Sequence, residues 1–217
     1  MASVEYLDHI VARHICKRDD IFLLEEKEFY MFLLRDFIDS DLCEYIIGSI
    51  ERDLFPSSIF PAVPDQDYRT SFSCNLNVMD EGVQKIDQKI SELLGVPMEF
   101  GEPLQGQRYS PGQQFKYHCD AFPINSPIWS DEIKRCGQRT WTAMIWLNEK
   151  FKGGQTHFAH VGKQLSPRTG SVLIWSNMAS DGDFNKASVH CGLPVEEGEK
   201  YILTKWFRSK HWSKVRC

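Results

Sequence analysis

Apolar positions in the first hundred residues recur with two different periods. Residues 29–37, FYMFLLRDF, form a nearly unbroken apolar run that reads as a buried strand entering a turn. Residues 41–54 carry Leu42, Tyr45, Ile46 and Ile50 at helical spacing, with Ser40 as the expected N-cap and Pro56, Pro61 and Pro64 to end the helix. Residues 69–78 alternate as a strand does, and residues 83–94 form a second amphipathic helix closed by Gly95 and Pro97. The residues ahead of Phe29 mix charges with short apolar clusters and follow no single period.

From Pro103 the helical period disappears. Short stretches rich in aromatic and β-branched residues, separated by Gly, Pro and Asn, predict strands over 104–109, 115–120, 141–147, 156–159, 171–175, 188–191 and 201–207. Many short strands at this spacing predict a sandwich or barrel, of which the jelly roll is one form. The long segment 121–138, with Pro123, Pro127 and Gly137, interrupts them and is expected to serve as a lid over a site. The expected architecture is therefore mainly β with flanking helices. A jelly-roll core over 103–217 is buttressed by a helical support over 1–102, within a single domain spanning 1–217.

Composition narrows the function classes. The 217 residues are 42% hydrophobic, enough for one sizeable core. A formal charge of -5 argues against a protein built to grip nucleic acid. The start carries Glu5 and Asp8 without a cationic leader pattern, and no apolar run is long enough to span a bilayer, so no membrane partner is expected. Seven scattered cysteines without a C-x-x-C pair fit reduced thiols, and the cytoplasm is the expected compartment.

The candidate chemistry lies at His118, Asp120 and His190. Two residues apart on a predicted strand, His118 and Asp120 leave the same face and can hold one ion. H-x-D alone has little specificity and is also met as a plain surface pair. His190, ending a short apolar run ahead of Gly192 and Pro194, supplies a third ligand from another strand. Two imidazoles and one carboxylate suit Fe(II) and leave positions open for a cosubstrate and oxygen, and a hydrolytic zinc site accepts the same trio. Lys200 opens the strand after the turn that follows His190. Pointing inward it requires an anion, which a dicarboxylic cosubstrate supplies; pointing outward it is a solvated turn lysine.

Other features carry less. His157 and His160, three apart, face opposite sides of a strand and do not chelate together. Asp181, Asp183 and Asn185 open like a calcium loop but lack its glycine and its bidentate glutamate. Gly153 and Gly154 read as a turn, Trp141, Trp146, Trp175 and Trp206 as core, and Cys119 as a packing residue turned away from the metal.

The stretches YSPGQQFKYHCD, QRTWTAMIWLNEKFKGGQTHF and KASVHCGLPVEEGEKYILTKWF, with RTS at Arg69, Thr70 and Ser71, resemble in order and spacing the prolyl 4-hydroxylase group of 2-oxoglutarate and iron(II) dependent oxygenases. The resemblance implies that His118, Asp120 and His190 bind Fe(II), and that Lys200 pairs with the distal carboxylate of 2-oxoglutarate. It further implies that Tyr109 and Thr142 line or hydrogen-bond that cosubstrate, and that Arg139 grips a proline-containing peptide or protein. It implies O2 as second cosubstrate, ascorbate as reductant, and succinate and carbon dioxide as coproducts of prolyl 4-hydroxylation. Phe115 stands where relatives often have tyrosine and Tyr117 where they often have proline, which bears on substrate rather than on the oxidation. The same chemistry on a free amino acid or small metabolite, and a binding module without turnover, are the alternative readings.

Overall fold

A computed structural model describes residues 4–58, 65–124 and 129–212, so Pro61 and Pro64 lie outside the described residues. Helix α1 (Val4–Ile15) is followed by strands β1 (Ile21–Glu25) and β2 (Met31–Leu34), helix α2 (Ser40–Arg52), strands β3 (Phe55–Pro56) and β4 (Phe72–Asn75), and helix α3 (Glu81–Leu94). Then come β5 (Gln105–Tyr109), β6 (Phe115–His118), α4 (Trp129–Arg135), β7 (Arg139–Trp146), β8 (Lys152–Gly153) and β9 (Thr156–Phe158). The last strands are β10 (Lys163–Leu165), β11 (Val172–Ser176), β12 (His190–Gly192), β13 (Val195–Glu197) and β14 (Lys200–Arg208).

Two antiparallel sheets form the core: an eight-stranded one in the order β1-β2-β11-β7-β14-β5-β4-β3 and a four-stranded one in the order β10-β9-β12-β6. The first hundred residues are more than a helical support, because β1 to β4 complete both ends of the large sheet.

Side-chain alternation divides the interior in two. From β14, Tyr201, Leu203 and Phe207 join Trp141, Ala143 and Ile145 of β7 in a core against the helices, which contribute Ile46, Ile50, Ile86 and Ile90. Ile202 of β14 and Met144 and Trp146 of β7 face the other way and pack with Phe158 and Trp175 between the sheets. Both faces of β7 and β14 are therefore largely buried, and the polar residues these strands carry, such as Thr142, Lys200 and Lys205, are buried with them. Close helix approach needs Gly106: a Cβ there would lie 2.4 Å from Ile50 Cγ1.

The helix boundaries follow from their caps. Asp39, not Ser40, caps α2, its carboxylate accepting the Leu42 N–H at 2.8 Å, since a charged acceptor also favours the positive end of the helix dipole. Asp80 does the same for α3 through the Val83 N–H at 3.0 Å, so that helix starts two residues earlier than its apolar period suggests. Gly95 ends it in the left-handed conformation at φ 66°.

Helix α1 buries Val11, Ala12 and Ile15 against the sheet, and with them Asp8. Burial raises the Asp8 carboxyl from 3.8 to about 7, and the Trp141 indole only partly offsets this. The folded protein therefore binds this proton more tightly than the unfolded chain. Asp8 costs nothing below about pH 4, and its ionisation lowers stability progressively as pH rises towards 7. Asp8→Asn is expected to raise the melting temperature at pH 8 and to leave it nearly unchanged at pH 4, as read by thermal unfolding at the two pH values.

Candidate metal centre

Strand β12 pairs antiparallel with β6 so that His190 lies directly opposite His118, with ring centroids 4.3 Å apart. β6 stops at His118, earlier than the expected strand over 115–120, and Asp120 sits just past its end. There the carboxylate is held by Thr142 of β7, whose hydroxyl donates to Oδ2 at 2.7 Å. One donor atom from each of His118, Asp120 and His190 lies within 4.8 Å of the others, and this is the metal-capable cluster found among the described residues. Each histidine turns its Nδ1–H to a backbone carbonyl two residues before it, His118 to Lys116 at 2.8 Å and His190 to Ser188 at 3.0 Å. That bonding assigns the tautomer and leaves both Nε2 atoms for the ion.

The protonation states suit a divalent cation. Burial, then His190, lowers His118 to about 3, so its imidazole is neutral at physiological pH. Burial alone would raise Asp120, but His190, His118, the Thr142 hydroxyl and Arg139 together hold it below the ordinary value. Aromatic rings fix the imidazoles: Phe115 stacks on His118 at 3.5 Å, Phe158 stacks on His190 at 5.0 Å, and Trp175 meets His190 edge-on at 4.9 Å.

Lys200 points inward. It is 2% exposed, donates to Gly154 O at 2.7 Å and lies 5.1 Å from the Tyr109 ring centroid. Burial lowers its ammonium to about 8, with Cys191 opposing, and no carboxylate among the described residues pairs with it. Lys200, Tyr109 and the three ligands line one cavity between the sheets, together with Arg69, Thr156 and Trp206.

Two expected site residues stand behind that lining. Thr142 gives its hydroxyl to Asp120 and accepts from Asn177 Nδ2 at 2.9 Å, so its polar capacity is committed to the carboxylate ligand. Arg139 is gripped by Glu102 through Nε and one terminal nitrogen at 2.7 and 2.8 Å, and stacks 4.0 Å over Trp206, which faces the cavity. Of the cavity residues that had no place in the sequence-derived site, Thr156 and Arg69 bear most on its chemistry. Thr156 has a buried hydroxyl without a partner among the described residues. Its signal was its position on the strand after Gly153 and Gly154, whose backbone meets Lys200. Arg69, named only within RTS, is half-buried against neutral partners, Ser71, Ser73 and Gln105 at 3.3 Å each, and covers the Phe115 ring at 4.7 Å. His157 is bonded to Tyr117 at 2.6 Å, outside the metal cluster, as its spacing from His160 implied.

A nitrogen and oxygen donor set without thiolate, three ligands with coordination to spare, and a buried cation in the same cavity fit iron(II) and a dicarboxylic cosubstrate. Fold and site thus define a jelly-roll metalloenzyme with a facial triad. Residues 104–208 match the 2OG-Fe(II) oxygenase superfamily. A putative prolyl 4-hydroxylase of Acanthamoeba polyphaga mimivirus is 32% identical over 183 residues, covering 84% of this chain and 75% of the relative. Prolyl 4-hydroxylase 1 of Arabidopsis thaliana is 30% identical over 200 residues, covering 83% and 69%. The viral collagen prolyl hydroxylase of Paramecium Bursaria Chlorella virus-1, solved as a 2OG complex, shares the fold with a TM-score of 0.63 at 24% identity, over 81% of this chain and 94% of that one. This chain belongs to the prolyl 4-hydroxylase group of the 2-oxoglutarate and iron(II) dependent oxygenases. It is a dioxygenase by class, which decides between iron and a hydrolytic zinc site. No helix among the described residues is long and apolar enough to cross a membrane.

Because Thr142 orients a metal ligand, Thr142→Val is expected to weaken Fe(II) or Co(II) binding by about 10- to 100-fold, the usual effect of losing such a partner, without unfolding the protein. Metal titration followed by absorbance, beside a melting curve, checks both halves.

Proposed function

We propose that this enzyme hydroxylates prolyl residues of a peptide or protein at the 4-position, using 2-oxoglutarate and O2. The observation that carries the cosubstrate assignment is the buried Lys200 ammonium, unpaired with any carboxylate, in the same cavity as the triad. His118, Asp120 and His190 would hold Fe(II). Bound there with 2-oxoglutarate and O2, the iron supplies the oxidation that releases succinate and carbon dioxide and places a hydroxyl on the substrate carbon.

The chain's own residues do the rest. Lys200 neutralises the distal carboxylate of 2-oxoglutarate, which in turn satisfies a cation that burial disfavours. The Thr156 hydroxyl is free to donate to that same carboxylate, so we assign Thr156 to the cosubstrate and Thr142 to Asp120. Tyr109, buried beside Lys200, lines the cosubstrate end of the same cavity. Arg139, held flat on Trp206 by Glu102 outside the cavity lining, is assigned to the substrate rather than to 2-oxoglutarate. Ascorbate serves as the reductant that keeps the iron ferrous. The peptide substrate rests on the relatives: a Trichoplax adhaerens prolyl hydroxylase of the same fold, TM-score 0.61 at 14% identity, was solved with a peptide fragment.

The deciding experiment gives anaerobically purified protein Fe(II), ascorbate, 2-oxoglutarate, O2 and a proline-containing peptide library, with Asp120→Ala as control. Succinate above the control together with a peptide heavier by one oxygen on proline is expected. Succinate coupled to a free amino acid or small metabolite instead would overturn the peptide assignment. Lys200→Ala is expected to raise the half-saturating 2-oxoglutarate concentration by at least about tenfold, the loss of one charge-assisted contact, with metal binding retained. Unchanged 2-oxoglutarate dependence would remove Lys200 from the site.

A further inference from the structure

Beside Trp206, outside the cavity lining, lies a network that the oxidation does not use, in which Glu102 pairs with Arg139 and Arg208 and Glu132 pairs with Arg208 and Arg135. Glu102, 8% exposed, accepts from Arg139 and from one terminal nitrogen of Arg208 at 3.0 Å. The other terminal nitrogen of Arg208 donates to Glu132 Oε2 on α4 at 2.7 Å. Arg208, 2% exposed, thereby divides its two ends between carboxylates from different elements and leaves its Nε buried without a partner among the described residues. An arginine placed only to neutralise Glu102 would present the Nε edge as well, as Arg139 does. The Phe122 ring, two residues past Asp120, lies 4.9 Å from one guanidinium and 5.2 Å from the other. Gln138 clamps Phe122 by both its backbone groups at 2.7 Å.

We infer that Arg208 is a positioning residue for substrate binding: it docks α4 and, through Glu102, ties the orientation of Arg139 to that docking. In a low-dielectric setting a charge that loses one partner strengthens its hold on the other, so releasing Glu132 from Arg208 draws Arg208 onto Glu102 and weakens the grip of Glu102 on Arg139. Arg139 rests on Trp206, and the Glu102 N–H is bonded to Trp206 O at 2.8 Å, so the change is felt at the cavity wall. The inference rests on the reading that Arg139 contacts the substrate.

The test uses the full chain loaded with Zn(II) and 2-oxoglutarate, comparing wild type with Glu132→Gln and, as the second variant, Arg208→Lys. Backbone hydrogen exchange in α4 and the 15N resonance of the Arg139 Nε–H group are read without any substrate. Exchange in α4 is expected to speed by about tenfold in Arg208→Lys, the loss of one charge-assisted hydrogen bond, and by at least that much in Glu132→Gln, which also gives up the Glu132–Arg135 pair within α4, and the Arg139 resonance to move in Glu132→Gln although Glu132 does not touch Arg139. With Fe(II), the peptide KM of Glu132→Gln is expected to rise several-fold while the 2-oxoglutarate KM and substrate-free succinate release stay at wild-type values. Unchanged α4 exchange, or faster exchange with an unmoved Arg139 resonance, overturns the inference. Wild-type protein that modifies no peptide overturns the prolyl reading instead, and the two substrate-free measurements still decide whether Arg208 ties α4 to Arg139.

Discussion

The site depends on one strand pairing, β12 on β6. His190 opposite His118 is what turns two residues far apart in sequence into neighbours that can share one ion. A slip of one residue would turn Cys191 inward and take the metal site apart. The pairing is irregular just beyond that point: Gly192 stands opposite Phe115, so β6 carries one more residue than β12 between the two pairs. The bulge lets Phe115 lie flat on His118, and Gly192 beside it lines the cavity with Lys200. Ligand spacing and ring stacking thus share a single irregularity.

That pairing stands only because the large sheet behind it does not move. β7 and β14 present one face to the cavity and the other to the helices, and each must be buried to hold the strands flat. The helix side is fixed by aliphatic packing and by Lys205 of β14, 1% exposed and paired with Asp87 of α3 at 2.5 Å. Breaking one partner of such a pair leaves a buried charge uncompensated, so α3 is held in register with the strand that carries Lys200. The support therefore acts on the chemistry through rigidity.

What could be read from the chain followed the strength of the local pattern. Long amphipathic helices and the apolar strands of the core were legible, since burial imposes a period of 3.6 or 2 on the sequence. Helix ends moved by a residue or two because Asp39 and Asp80 cap better than the next polar residue in line. β8, β10 and β13, two or three residues each, are too short to show any period, and α1 hides its buried face among charges. The proposed triad and Lys200 are legible only when spacing and charge are joined to the family resemblance, since H-x-D alone has little specificity and a lone lysine can as well face solvent. Thr142 and Thr156 were not distinguishable in that way: a hydroxyl carries no charge, and only the placement of Asp120 beside one of them shows which is already spoken for.

The same contrast separates oxidation from substrate choice. The oxidising centre draws on side chains within a few residues of a strand end, so its parts lie in two short stretches of sequence. The residues proposed to meet the substrate and those that hold them are assembled from distant segments: Arg69 before β4, Glu102 before β5, Phe122 after Asp120, Arg139 opening β7, and Trp206 and Arg208 ending β14. None of these residues implies another by spacing, and their roles emerge only when Glu102 and the aromatic faces bring the guanidinium groups together. On the proposed reading, such an enzyme alters what it hydroxylates through the arginine network while His118 and His190, fixed by the pairing of β6 with β12, keep their geometry.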